Sequence, residues 1–366
     1  MNKKVGIVTF HNAHNYGAVI QALALRKKIE SYGFEVDFIQ SPDSYIQNKY
    51  RKFPIKRESN ESIVRFIKKT VHYFLDLKRN LTRYNNFQDF ISNEIPVTLL
   101  NSEKKHYDYV VLGSDQIWNS NITKGLDEIF FGRHTLLDAK KVIAYAASMG
   151  NATSKENIDD KFLNLVQNVD RLGVREDSLK ALMSENISES VELNLDPTLL
   201  LDEHIWKSIS PRKNNSERYI LVYQVYNSKI TDKVVDYLKE EYGYKVKVLS
   251  SAPPTVKMNE NVLATASPYE YLELFANASF VVTTSFHGTV FSIINEVPFF
   301  TIKINEGVDK RSASLLANLN LTERHILNIA DLEKIDNEMD FTMSKVFLEK
   351  MRLSSDKYLR DALDVG

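Results

Sequence analysis

A histidine stands where an apolar strand gives way to a helix. In Thr283-Thr-Ser-Phe-His-Gly-Thr-Val290, the run Phe280-Val-Val leads in and Val290-Phe-Ser-Ile-Ile leads out. A helix start presents unpaired N–H groups and the positive end of the helix dipole, which suits an anion. Gly288 lets backbone approach a ligand closely. Ser285 and Thr289 add hydroxyl donors, and His287 adds a switchable donor or, when protonated, a general acid. The alternative is a plain helix cap, with Ser285 satisfying the first turn and His287 merely its neighbour.

Other chemistry-bearing residues cluster at similar places. The loop His11-Asn12-Ala13-His14-Asn15-Tyr16-Gly17 crowds polar groups into a strand-to-helix turn. It lacks the Gly-x-Gly of a dinucleotide fingerprint and the Gly-Lys-Ser/Thr of a P-loop. Its two histidines could form a metal pair, but no third ligand follows nearby, so no metal is expected. Hydrogen bonding to a polar, sugar-like ligand is the better reading, against a turn in which Asn and Gly serve the backbone. Asp115, in Gly113-Ser-Asp-Gln-Ile-Trp118, is a base toward a hydroxyl or a cap. Trp118 and Tyr145 offer flat faces for a sugar ring, or core. Arg175 ends another strand and suits phosphate or carboxylate, unless it pairs with Glu176 or Asp177. Lys310 and Arg311 are a second cationic pair, with solvated helix surface as the alternative; Lys303 and Arg324 are weaker candidates.

These residues need strands to end beside them. Residues 4–10 read as a buried strand, and Ala18, Ala22, Leu25 and Ile29 share a helix face that stops at Gly33. Residues 34–39 return as a strand, giving the crossover of a parallel sheet. Strand patterns recur at 109–115 and 141–150, and at 172–174 ahead of a helix near Ser178. Pro197 argues against continuous regular structure at 195–201. Strands at 219–225, 244–250, 279–284 and 298–304 alternate with helices at 228–241, 268–277, 288–296 and 309–318. Helical spacing returns from Met343 to Leu363.

The expected organisation is an α/β domain over 1–205, a second over 206–340, and a helical segment over 341–366 that caps the second or crosses back to the first. Residues 42–105 read as a helical insertion in the first domain, with periodic Ile63, Ile67, Val71 and Phe74. Its basic runs, Lys49-Tyr-Arg-Lys52 and Lys56-Arg57, read as solvated surface, the alternative being contact with an acidic polymer or a membrane surface. Ligands in such folds bind at the C-terminal strand ends, often between domains.

Composition narrows the class. The chain has 366 residues, 47 basic against 48 acidic side chains and a net charge of −1, which argues against a global grip on nucleic acid. It has no cysteine, so disulfides, thiolate nucleophiles and Cys-type zinc sites are excluded. The N-terminal apolar run stops at His11, too short for a signal-peptide core, and no run reaches the ~18 residues of a membrane span. The expected location is cytoplasmic, with room for peripheral contact at the inner face of the membrane.

Six stretches together resemble the polysaccharide pyruvyl transferase family. They are Val5 to Ala18, Val111 to Asn119, Tyr145-Ala-Ala-Ser-Met-Gly150, Val174-Arg-Glu-Asp-Ser178, Asp196-Pro-Thr-Leu-Leu-Leu201 and Thr284-Ser-Phe-His-Gly-Thr289. They occur in the family's order across roughly residues 4–330. The resemblance implies two Rossmann-like domains facing a cleft, as in GT-B-type glycosyltransferases. It implies transfer of pyruvate from phosphoenolpyruvate, a co-substrate, to hydroxyls of a sugar in a polysaccharide or its lipid-linked precursor, forming a pyruvyl ketal, with no cofactor. It implies that Arg175 and His287 contact the donor's phosphate and carboxylate, joined by Arg311, with Ser285, Gly288 and Thr289 completing the donor site. Asp115 is then the acceptor-side base, His287 the acid, and His11, Asn12, His14, Asn15 and Tyr16 line the acceptor side. Two alternatives stay open. One is a nucleotide-sugar glycosyltransferase on the same fold, with Glu306 or Asp309 near a ribose. The other is a non-catalytic binding protein.

Overall fold

The computed structural model describes residues 3–53, 57, 61–210, 217–252, 261–334 and 338–365. Lys56 of the second basic run and residues 211–216, just past the expected domain boundary, lie outside them, as does the Glu306 side chain.

Two wholly parallel sheets organise the chain. The first holds β1 (Lys4–Val8), β2 (Glu35–Gln40), β3 (Val97–Leu99), β4 (Lys105–Leu112), β5 (Leu137–Ala147), β6 (Arg171–Val174) and β7 (Val191–Leu193), in the order β3-β2-β1-β4-β5-β6-β7. The second holds β8 (Tyr219–Gln224), β9 (Lys245–Ser250), β10 (Val262–Leu263), β11 (Phe280–Thr283), β12 (Phe299–Ile302) and β13 (His325–Ile326), in the order β10-β9-β8-β11-β12-β13. Both orders run out from the first strand and then switch to its other side, the Rossmann pattern. This is the expected GT-B-like α/β class. Central strands such as β1 and β11 are continuous apolar runs because helices cover both faces of a parallel sheet.

Helix Tyr16–Glu30 follows β1. Asn15 caps it by accepting from Ala18 N at 3.2 Å, and Lys27 and Lys28 lie in its last turn, where the dipole favours cations. The helix thus begins two residues before the face read from sequence. It is apolar on nearly every side because both sheets' layers meet it: Tyr16 stacks on Tyr271 of helix Pro268–Asn277 at 4.8 Å. One continuous core accordingly includes Val19 and Leu23 as well as Tyr223 and Phe291.

Residues 42–105 are not all helix. They hold helices Tyr45–Lys49, Ile63–Leu75 and Leu77–Glu94, and then β3 extends the sheet edge. Lys49, Arg51, Lys52 and Arg57 are exposed. Helix Leu77–Glu94 wedges between the sheets. Its Arg83 is buried, donates to Tyr16 Oη at 2.9 Å and to Ala264 O at 3.0 Å, and lies over the Tyr16 and Phe87 rings. Asn86 Nδ2 donates to Thr265 O at 2.7 Å.

Pro197 does not break the chain. It is the first residue of the short helix Pro197–Leu200, where its missing N–H has no intrahelical partner to lose. Helix Thr342–Ala362 runs back onto the first sheet. Tyr358 Oη donates to Ala144 O at 2.8 Å, Arg352 Nε to Leu199 O at 2.6 Å, and Leu195 N to Ser355 Oγ at 3.0 Å.

Candidate functional site

The C-terminal ends of strands from both sheets converge on one charged cluster. Arg175 follows β6 directly, Asp115 follows β4, and Asp196 follows β7. From the second sheet come His287, just after β11, and Arg311, in helix Glu306–Asn318 after β12. Arg175 Nη1 donates to Asp196 Oδ2 at 2.6 Å, and Asp115 Oδ1 lies 3.6 Å from Arg175 Nη2. His287 Nε2 lies 3.5 Å from the same Asp196 oxygen. Both guanidiniums face the Phe286 ring, Arg175 at 5.1 Å and Arg311 at 5.2 Å from its centroid. Arg175 pairs with neither of its sequence neighbours, because Asp196 lies closer in space.

Asp196 is the member of this group that spacing did not single out. It is buried, and its other oxygen accepts from Thr198 N at 3.1 Å and Thr198 Oγ1 at 2.7 Å. Burial opposes its charge, but His287, Arg175 and Thr198 outweigh burial and hold the carboxyl well below the usual range. Glu176 behaves oppositely. Burial pushes its carboxyl up against the pull of Arg175 and of the Ser148 hydroxyl, which donates to Oε1. Arg311 is half-buried; burial and then the Arg175 charge push its guanidinium down. The Asp115, Glu176 and Asp196 charges pull the other way.

Arg175 Nε is buried with no hydrogen-bond acceptor among the described residues, while Arg175 Nη2 and His287 Nε2 meet only the long contacts to Asp115 and Asp196. Buried polar groups are nearly always satisfied, so the cluster has unused capacity to hold an acceptor. The cavity lined by Arg175, Asp196, Phe286 and Arg311 has a volume of about 20 Å³, room for about one water. The larger cavity, about 430 Å³, lies beyond β2 between Tyr45, Lys124, Asp127 and Arg133, and contains none of the residues above.

His287 sits inside the helix, as the second residue of Phe286–Ile294, with Ser285 as N-cap accepting from Gly288 N at 3.3 Å. The cap reading therefore describes Ser285, while His287 turns to Asp196. Two donor-side expectations are corrected. A Cβ on Gly288 would lie 2.9 Å from Thr283 Cβ, so this glycine serves strand–helix packing rather than ligand approach. Thr289 is fully buried, its hydroxyl 2.7 Å from Thr301 Oγ1 and donating to Ser285 O.

The first loop divides. His11 has no exposed surface; its Nδ1 faces Thr9 O at 3.1 Å, and burial lowers its imidazole to about 4. Tyr16 is equally buried, its hydroxyl donating to Ala266 O at 2.8 Å and accepting from Arg83. Neither reaches a surface an acceptor could touch, because both side chains fill space between layers. Asn15 is exposed but its oxygen caps the helix, and Asn12 is half-buried. His14 is wedged among Tyr50, Tyr84 and Phe87, with its imidazole lowered to about 4 by burial and by Arg83. Tyr50, which sequence reasoning passed over, completes this side; burial and then the Asp115 charge raise its phenol to about 12. Trp118 and Tyr145 are core.

The loop's closest link to the charged cluster is Gly17. A Cβ there would lie 2.6 Å from Cγ and Cε1 of His287 and closer still to Nδ1. Only glycine lets the first helix seat the imidazole. Lys310 Nζ donates to Thr153 O at 3.0 Å, bridging the sheets. Arg324 turns to Glu323 and Glu338 O, and Lys303 lies beside His325. Asp309 Oδ2 accepts from Ile304 N at 2.7 Å and Asn305 N at 2.9 Å. Among the described residues, no trio of His, Asp and Glu is placed to hold a metal.

Among curated proteins, none matches the chain. Among solved structures, it is similar to UDP-GlcNAc 2-epimerase from Methanocaldococcus jannaschii, at 12% identity over 95% of this chain and 92% of that one, with a TM-score of 0.44. It is similar to the E. coli heptosyltransferase WaaC with ADP at 12% identity, covering 95% and 99%, with a TM-score of 0.37. It is also similar to an O-GlcNAc transferase mutant from Thermobaculum terrenum at 11% identity, covering 99% and 64%, with a TM-score of 0.39. The family model for polysaccharide pyruvyl transferase matches residues 15–306, most of the 366, and the chain belongs to that family.

Proposed function

We propose that the protein transfers pyruvate from phosphoenolpyruvate to two hydroxyls of a sugar, in a polysaccharide or its lipid-linked precursor, forming a pyruvyl ketal. The observation that carries this reading is the pair of guanidiniums against Phe286 beside buried Arg175 and His287 nitrogens that lack a close acceptor. Phosphoenolpyruvate brings a phosphate and a carboxylate on one small carbon frame, which matches two cations and several converging N–H groups. Arg175, Arg311 and His287 are its proposed ligands, with the helix start at Ser285 behind them.

The chemistry balances with these groups. A proton from His287 goes to the methylene carbon, making a methyl group and an electrophilic C2. A sugar hydroxyl bonds to C2 and gives its proton to a base, proposed as Asp115. Phosphate then leaves, the second hydroxyl closes the ring, and its proton leaves with the phosphate. The enzyme's share is general acid–base help and stabilisation of charge. Asn12, Asn15 and Tyr50 are the groups left to meet the acceptor. No nucleotide or metal enters this scheme.

Thermal melting with phosphoenolpyruvate, and separately with nucleotide sugars, tests the donor, since a ligand selective for the folded state raises the melting temperature. Phosphate release with candidate acceptors then tests transfer. Stabilisation by and turnover of a nucleotide sugar, with neither from phosphoenolpyruvate, would overturn the reading.

A further inference from the structure

Helix Ile63–Leu75 belongs to the first half but buries none of its residues. Its large apolar side chains point outward: Ile63, Val64, Ile67, Val71, Phe74 and Leu75 are 50–77% exposed. At the α-helical 100° per residue, these six fill one continuous face. The stripe turned toward the protein is Phe66, Thr70 and Tyr73, all half-buried. Beside the apolar face, on the side away from the protein, lie Arg65, Lys68, Lys69 and His72, all exposed. Tyr73 Oη donates to Lys52 O at 2.6 Å, which brings the segment carrying exposed Arg51, Lys52 and Phe53 alongside.

Isolated exposed apolar residues are ordinary, but a contiguous helical face of them is an interaction site. Charge narrows the partner. Residues 61–79 hold five Lys and Arg against two Asp and Glu, a net +3 in a chain whose total is −1. A second copy meeting this face about a two-fold axis would bring the basic stripes together, which is repulsive. Nucleic acid would use the basic stripe but leave the aliphatic face in water. At 13 residues the helix is too short to cross a bilayer. It fits a helix lying in the plane of a membrane surface, with apolar side chains in the acyl boundary and lysines reaching back to anionic headgroups.

We propose that helix Ile63–Leu75 and the adjoining Arg51–Phe53 segment dock the enzyme onto a bilayer surface rich in anionic lipid. This would bring the site to lipid-borne saccharide, but the docking itself stands apart from the donor chemistry and needs no turnover to be measured.

Sedimentation of the full chain with vesicles tests it. The protein is expected to sediment with an equal mixture of phosphatidylcholine and phosphatidylglycerol, and much less with phosphatidylcholine alone. Binding should fall as salt screens the headgroup attraction. The double change Ile67→Glu with Phe74→Glu should lower partitioning roughly ten-fold or more, and Lys68→Glu with Lys69→Glu should remove the preference for phosphatidylglycerol. All four side chains are exposed, so melting temperatures should stay near that of the parent; serine at 67 and 74 is the fallback if glutamate disturbs folding. No binding to the anionic vesicles overturns the proposal, as does equal binding by the Ile67/Phe74 variant. A dimer that this variant dissolves, without vesicle binding, would reassign the face to self-association.

Discussion

Gly17→Ala isolates the contact between the first helix and His287. The added methyl carbon would stand 2.6 Å from imidazole Cγ and Cε1, whereas non-bonded carbons settle at about 3.5–4.0 Å. The ring must therefore retreat by roughly 1 Å. It has little room, being 7% exposed, with Phe286 at 5.2 Å and Asp196 at 3.5 Å. Overpacking of this kind costs about 1–3 kcal/mol, partly offset by about 0.5 kcal/mol from replacing a helical glycine. In a His287→Ala background the obstruction is gone and only the helix gain remains. Alanine at 17 should thus destabilise the parent by about 1–2 kcal/mol and stabilise the His287→Ala variant by about 0.5 kcal/mol. Urea unfolding of the four proteins measures this reversal as a double-mutant cycle. Phosphate release from phosphoenolpyruvate should meanwhile fall on the order of 100-fold in Gly17→Ala alone, as expected for a displacement of about 1 Å at a reacting group. An effect of the same sign and size in both backgrounds would refute the packing argument.

Arg175→Ala and Arg311→Ala should differ. The first leaves Asp196 buried and under-compensated and should cost about 3–5 kcal/mol of stability. The second should change stability little yet reduce the phosphoenolpyruvate-induced thermal shift; equal destabilisation by the two would contradict the pairing described. Acid should weaken the fold through His11, whose imidazole is held at about 4 against an ordinary 6.5. As pH falls through that window the unfolded chain takes up a proton that folded His11 refuses, so stability drops, by about 2 kcal/mol near pH 5. His11→Gln should remove His11's share of that slope in pH-dependent urea unfolding, leaving the share of His14, whose imidazole is also held at about 4. Tyr16→Phe removes the group between Arg83 and Ala266 O and should cost about 1–3 kcal/mol, measured in the same way; no loss would mean those polar groups re-pair elsewhere.

The long apolar strands were readable because burial on both faces leaves a run no other element explains, as in β1 and β11. β7, β10 and β13 were not: at three, two and two residues they carry no period of their own and exist because a neighbouring strand pairs with them. Pro197 misled because proline breaks a helix interior but suits its first position. Most of the charged cluster was named from strand ends. Asp196 was missed as a partner because its claim rests on Arg175 and His287, which are distant in sequence. The reverse error at His11 and Tyr16 has the same root: polar side chains in a turn look available until a second layer covers them. Gly17 offered no signal at all, since its reason lies 270 residues away in the imidazole it accommodates.

Two stretches of chain pass between the sheets, one after β7 and one before helix Thr342–Ala362. Bodies joined at two places give up sliding most readily and keep rotation about the line through the joints. Asp196 stands beside the first joint, and the returning helix reaches the adjacent Leu195 through Ser355. Parts close to such an axis would travel least, so a rotation would spare the Asp196 contacts. What resists that rotation is the core shared by Val19, Leu23, Tyr223 and Phe291, together with bonds such as Tyr16 to Ala266, Asn86 to Thr265 and Lys310 to Thr153. With about 20 Å³ free at the cluster, the proposed donor would need an opened form. Its apparent affinity is then its intrinsic affinity scaled by how seldom that form occurs. Loosening Tyr16 to Ala266 or Asn86 to Thr265, away from the charges, should then tighten the grip on the proposed donor.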